Sequence, residues 1–343
     1  MSLPGTCHDF QWDRIGSGCR REGRHIFADE LAGFADRAGG SRLAQMSARV
    51  SAPVGIAVRG RPGVGAATVA AALAAAGVVV SDAGEVVVLV IAEVCKPEDL
   101  AVLAELRRAG VSVLIVFNKA DLAGSGPGGP TATAQRRTVE LRAVTGVPVV
   151  PMVALLAAVA LPAELVSALR TLSMRPADLT SADAFVAGEH PVPHAMRTRL
   201  LATLDRFGVA HVCLALSRGA DADELPGLLR RLSGVEDVLD ALHAVAAPVR
   251  YQRVRAALAD LRALGGDEVG RFLAADDTVV AVMAAAVDVV QAHGLVVDPG
   301  TGADAHVRRA RHWRHYGRGP VNALHRSCSA DIVRGSLRLL GAR

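Results

Sequence analysis

The chain has 343 residues, of which 51% are hydrophobic and 21% charged, and its net charge is +4. That supplies a core for one large domain or two ordinary ones and excludes a disordered or collagen-like chain; so small a net charge does not by itself imply a nucleic-acid partner. Five cysteines without a C-x-x-C pair argue against a disulfide framework or a structural zinc site.

Residues 1–23 show no period and read as a lead-in, followed by a helical stretch over about 22–49 broken at Gly39-Gly40. From residue 54 the pattern changes. The run 54–60 is a short strand ending in glycine, and 66–76 is a helix apolar on every side. Residues 78–80 and 85–92 read as buried strands. A well-signalled helix follows, with Pro97, Glu98 and Asp99 in its first turn and Arg107-Arg108 before Gly110. Next come a strand at 111–117, a Gly/Pro loop at 123–130, a helix to about Thr145 and a strand at 147–152. Strands that are apolar throughout and alternate with helices predict an α/β fold, a mostly parallel sheet covered on both faces. Beyond Leu155 the chain reads as mainly helical, with one further strand at 209–216 carrying His211 and Cys213. The expected division is 1–50 as an N-terminal lead-in and helical segment, 51–175 as the α/β domain and 176–343 as a mainly helical domain. The longest apolar stretch, 147–163, is interrupted by Pro148, Pro151 and Pro162, and no apolar run opens the chain, so the expected location is cytoplasmic.

In such a sheet, ligands bind at the carboxyl ends of the strands. One strand end carries Gly60-Arg61-Pro62-Gly63-Val64-Gly65-Ala66-Ala67-Thr68, in the strand-to-helix setting where G-x-x-x-x-G-K-[ST] cradles phosphates with backbone N–H groups and a helix N-terminus. The glycine spacing is kept, but Ala66 stands where a lysine would reach the phosphates and Ala67 where a hydroxyl would bind Mg²⁺. Thr68 comes one position late, about 100° round the helix. The alternative is a βα turn that is glycine-rich for tight packing.

A second strand end carries Asn118-Lys119-Ala120-Asp121, and Lys119 is one of only two lysines in the chain. Here residues 52–155 resemble the P-loop GTPase superfamily, whose guanine-reading motif is N-K-x-D. The resemblance implies that Asp121 accepts hydrogen bonds from guanine N1 and N2. It also implies that Lys119 lies along the base and reaches back to the glycine loop, that Asn118 ties the loops together, and that Ala154 belongs to a base-binding loop that has lost its serine. The metal-side D-x-x-G motif is represented only by Ser81-Asp82-Ala83-Gly84, one residue short, so Thr68 and Asp82 are weak metal candidates and a turn is the preferred role for Asp82. There is no room for the switch segment. Phosphoryl transfer relies on positioning and on charge neutralisation by Lys and Mg²⁺. The resemblance therefore implies a degenerate member that holds GDP or GTP, with Mg²⁺ disfavoured and no catalytic residue assigned. It would act as a binding or regulatory module with a protein partner. Two alternatives stay open: a slow GTPase using Arg61 (or Arg59) in place of the lysine, and a nucleotide-free interaction scaffold.

The most basic segment is 306–326, which has no acidic residue and contains Arg308, Arg309, Arg311, Arg314, Arg318 and Arg326 with Trp313 and Tyr316. It reads either as a contact for an anionic surface, membrane or nucleic acid, or as a solvated arginine face with Trp313 packed on the core; the second is preferred. His190 and His194 are four apart, but Pro191 and Pro193 argue against the helix that would aim both at one metal.

Overall fold

The computed structural model describes residues 26–341. The lead-in over 1–23 lies outside the described residues. Two N-terminal helices, α1 (Ile26–Ala38) and α2 (Ser41–Ser51), are separated at Gly39 and Gly40, whose φ angles of +70° and +99° a side chain would resist. The sheet elements follow: β1 (Ile56–Gly60), α3 (Ala66–Ala75), β2 (Val86–Ala92), α4 (Pro97–Arg108), β3 (Ser112–Asn118), α5 (Gly129–Thr145) and β4 (Val149–Met152). All four strands are parallel and lie in chain order, β1-β2-β3-β4. Nearly every residue of β2 and β3 is buried, so both faces of the sheet are covered, as continuous apolar strands require. In register, Gly60 pairs with Val90, Ala92 with Asn118 and Asn118 with Met152, which brings the strand ends to one edge.

Residues 78–80 differ from expectation. They form no buried strand, only a single parallel bridge from Val80 to Ile56, and Val79 is 46% exposed. Gly77, at φ +85°, ends α3 immediately before them, and the chain turns away again at Ser81. Three residues are too few to extend the sheet beyond this bridge.

The chain divides into two compact units. The first, Gly55–His243, contains the sheet and also α6 (Ala163–Met174), α7 (Ala182–Ala187), α8 (His194–Ser217) and α9 (Leu225–Ser233). The expected boundary near 175 therefore falls inside this unit, and Leu165, Leu169, Phe185, Leu200 and Leu229 share one apolar core with β2 and β3. Residues 209–216 are helical, a correction to the expected strand, so His211 and Cys213 do not alternate across a sheet. The buried side chains Leu200, Leu204, Val209 and Val212 recur at helical intervals, and that face decides between two states a β-branched run could adopt. Helix α8 is the one helix among the described residues long and apolar enough to cross a membrane, but it is kinked at Asp205 and contributes to this core. Pro193 precedes its first residue, His194. His190 stands before it and uses both ring nitrogens locally, on the Arg175 carbonyl and the Val192 N–H.

The second unit joins residues 26–54 to 244–341. Its helices include most of α10 (Val235–Leu264), which continues through Pro248, as well as α11 (Asp267–Ala274), α12 (Asp276–Ala292), α13 (Ala303–Arg318) and α14 (Ala323–Gly341). One core joins α1 and α2 to α10–α12, with Phe34 stacked on Phe272 at 4.4 Å between ring centroids. Another gathers Tyr251, Met283, Trp313, Cys328 and Ile332. Here Tyr251 donates to Asp331 (2.6 Å), and burial pushes the Cys328 thiol up to about 12. Near the end of α12, His293 Nδ1 faces His325 Nε2 at 2.6 Å, while His325 Nδ1 faces the Tyr316 hydroxyl at 2.6 Å. The imidazole planes differ by 10° and their centroids lie 4.8 Å apart. Stacked rings would keep their atoms about 3.5 Å apart. These two therefore lie edge to edge in nearly one plane, nitrogen to nitrogen, forming a hydrogen-bond chain across three helices.

Candidate functional site

The candidate site is built at the carboxyl edge of the sheet, from the loops that leave β1, β3 and β4. The loop after β1 turns at Gly63 (φ +86°) and Gly65 (φ +85°), and α3 starts at Ala66. Gly65 is required twice over: its φ disfavours a side chain, and a Cβ there would lie 2.5 Å from Asn118 Nδ2. Gly60 is confined by space alone, since a Cβ there would meet the Val90 carbonyl and the Val64 side chain.

Asn118, the last residue of β3, is 4% exposed and has both ends of its amide engaged. Its Nδ2 donates to the Val64 carbonyl in the glycine loop (2.9 Å), and its Oδ1 accepts from the Ala154 N–H after β4 (3.1 Å). One buried side chain thus ties three strand ends together. Lys119 follows at φ +56°, a left-handed turn uncommon for a non-glycine residue. From there its Nζ reaches back to donate to the Gly63 carbonyl (2.8 Å). Ala120–Leu122 make a short 3₁₀ turn that carries Asp121. Burial pushes the Asp121 carboxyl above its ordinary value and Asp205 adds to the rise, against a backbone hydrogen bond and the opposing charges of Lys119 and Arg206. Gly63, Gly65, Asn118, Lys119 and Ala154 are therefore joined through direct contacts, with Gly60 packed against Val64 of the same loop and Asp121 in the next turn.

Other residues singled out from sequence lie elsewhere. Arg61 does not stand free over the glycine loop: its Nε is 2.8 Å from Asp99 Oδ1, and Asp99 is 1% exposed. The other Asp99 oxygen accepts the Lys96 backbone N–H (2.9 Å), which closes the first turn of α4. Thr68 is exposed on α3, as is Ala67. Asp82 is exposed in the turn before β2, whose Gly84 packs against the backbone of Ile56 and Ala57 so closely that a Cβ would clash. This is the turn geometry expected for the Ser81–Gly84 stretch. Among the described residues, no group of three or more His, Cys, Asp or Glu side chains gathers as a metal site.

Two participants were not singled out from sequence as site residues. Asp99 was legible only as an acid in a helix first turn, since its partner is 38 residues away. Asp205 gave no signal at all. It interrupts α8 with φ +54° and ψ +177°, its carboxylate accepts the following Arg206 N–H (2.5 Å), and its charge is felt at Asp121. The Arg206 guanidinium meanwhile donates to the Leu179 and Thr180 carbonyls.

The arrangement can do two things chemically. Around Gly63–Ala67 it offers backbone donors and a helix N-terminus suited to an anion. At Asp121 it offers a half-buried acceptor pair suited to a ligand edge rich in N–H donors. Of its nearby cations, Lys119 is held by the Gly63 carbonyl and Arg61 by Asp99, while Arg59 is exposed at the end of β1. No family model, curated protein or solved structure matches this chain.

Proposed function

We propose that this protein is a guanine-nucleotide-binding module related to the P-loop GTPases, with its catalytic apparatus lost, that serves a regulatory partner. The observation carrying this reading is the Asn118–Lys119 pair. Asn118 holds the glycine loop and the Ala154 loop in one framework, and Lys119 returns to Gly63, so the two halves of a nucleotide site are braced against each other before any ligand arrives. A packing-only glycine turn needs neither contact. In the bound state Asp121 would take the N1 and N2 hydrogens of guanine, the stem of Lys119 would cover the base, and the N–H groups of Gly63 to Ala67 would face the phosphates.

The slow-GTPase alternative asks Arg61 to replace the missing lysine. With its guanidinium held by Asp99, Arg61 is diverted from that task, which favours the non-catalytic reading; Arg59, the other candidate, is exposed in β1 and keeps the alternative testable. The proposal is tested by calorimetric titration with GDP and GTP, with and without Mg²⁺, and with ATP as control. Guanine-selective binding that ignores Mg²⁺, and that shifts toward xanthine in Asp121→Asn, is the expected result. Arg61→Ala should leave that affinity within about twofold, since the removed group makes its contact with Asp99. Absence of heat and of thermal shift with every nucleotide would overturn the proposal in favour of the interaction scaffold.

A further inference from the structure

Helix α13 separates its cations by depth. Arg309 is 1% exposed and donates to the Asp298 and Gly300 carbonyls, to Ser336 Oγ and to His306; burial lowers it to about 10. Trp313 is equally buried, edge-on to Tyr316, and Tyr316 is committed to His325. These residues fix one face of the helix to the core. Of the aromatic rings read from sequence as candidates for stacking or insertion, Trp313 is therefore packed in the core, and Tyr316 is half-buried with its hydroxyl on His325.

The opposite face carries Asp304 and Val307 at its N-terminal end and is basic from Arg308 onward. Arg308, Arg311, Arg314, His315 and Arg318 fall within an arc of about 120° on a helix of 3.6 residues per turn, and all are exposed. Arg308 is paired with Asp298. Arg311, Arg314 and Arg318 have no hydrogen-bond or ion-pair partner among the described residues. They stand at i, i+3 and i+7, the neighbour spacings at which an ordinary solvent face alternates signs and at which like charges repel. Between Asp304 and Asp331 the sequence supplies no carboxylate to relieve that repulsion. The one apolar side chain exposed on this face is Val307, at its N-terminal end.

We infer that the outer face of α13 is a docking surface for the phosphate backbone of a nucleic acid, read by charge and without base stacking. A ladder of unpaired guanidinium groups on a rigid helix matches a row of phosphates, and each Arg is suited to bidentate phosphate contact. A membrane surface is disfavoured because the face has no exposed aromatic or apolar row to enter the interface. Binding arises from counterion release and is independent of the nucleotide site.

The test is fluorescence anisotropy of a labelled 20-base-pair duplex with the full chain, from 50 to 200 mM NaCl. Three neutralised phosphates give a slope of about −2.7 in log K against log salt, or about a 40-fold loss across that range. The triple variant R311Q/R314Q/R318Q should lose the binding and most of the slope. R42Q/R108Q/R218Q removes the same charge from exposed positions elsewhere and should retain both. Far-UV circular dichroism checks that each variant keeps its helices. The inference is overturned by absence of binding at 50 mM, by an equal loss in the control variant, or by equal or tighter association with phosphatidylglycerol vesicles.

Discussion

The glycine-loop edge and helix α13 use basic residues in opposite ways. At the sheet edge two cations are spent on protein partners: Lys119 on the Gly63 carbonyl and Arg61 on Asp99. On α13 one cation is buried to anchor the helix and three are left unpaired facing solvent. Both regions look alike as strings of letters, glycines or arginines with a few polar neighbours. The difference teaches that a cation's partner, and not its presence, decides whether it serves structure or recognition.

The sharpest way to break this comparison is at Arg309. Replacing it with Met removes a buried guanidinium and leaves the Asp298 and Gly300 carbonyls short of a donor, an expected loss of about 3 kcal/mol in urea denaturation. A loss below 1 kcal/mol would mean that α13 is not anchored by this group. Next comes Asn118→Ala, which strips the Val64 carbonyl and the Ala154 N–H of their shared partner. The expected cost is about 2 kcal/mol, with faster amide exchange at Ala154 while exchange in the middle of β3 is unchanged.

A third experiment concerns protonation at the site. The Asp121 carboxyl lies above its ordinary 3.8, chiefly through burial, so it becomes neutral at a higher pH than an exposed aspartate. Guanine affinity should therefore begin to fall on acidification while exposed carboxylates are still ionised, and Asp121→Asn should abolish that pH dependence. The same shift has a stability consequence of opposite sense to the usual carboxylate: the native state takes up the proton first, so stability falls as pH rises through that window. Titrations at pH 7.5, 6 and 5 measure the first effect.

The smallest effect belongs to the His293–His325–Tyr316 chain. Burial lowers both imidazoles, and His325 further lowers His293. On acidification the unfolded chain therefore binds protons before the native one, and stability is lost as pH falls below 6.5, the unshifted value, toward the lowered native values. Two protonated rings cannot face each other nitrogen to nitrogen. Tyr316→Phe should cost no more than about 1 kcal/mol at pH 7.5, and His293→Gln should flatten the decline in melting temperature between pH 7 and 5.

The strand and helix order through residue 152, apart from the strand expected at 78–80, was readable because parallel strands buried on both faces must be apolar at every position, a pattern that 86–92 and 112–118 satisfy. The pairing of Asn118 and Lys119 with the glycine loop was legible only by resemblance, since the contacts span more than 50 residues. The run 209–216 was misread because Val209 and Val212 suit either a strand or a buried helix, and only the surrounding core selects one.

What the sequence alone determined are the features set by neighbours in the chain: the glycine turn, the apolar strands, the proline-started α4, the acid-free basic segment. What the tertiary structure decided are the features set by distant partners. These are the Arg61–Asp99 pair, the kink at Asp205 beside the Asp121 environment, and the burial of Arg309 and Trp313 beneath an exposed arginine face. Local pattern specifies an element because its period and termini are written in adjacent residues. Whether a charge is neutralised depends on what folding brings within a few ångströms of it.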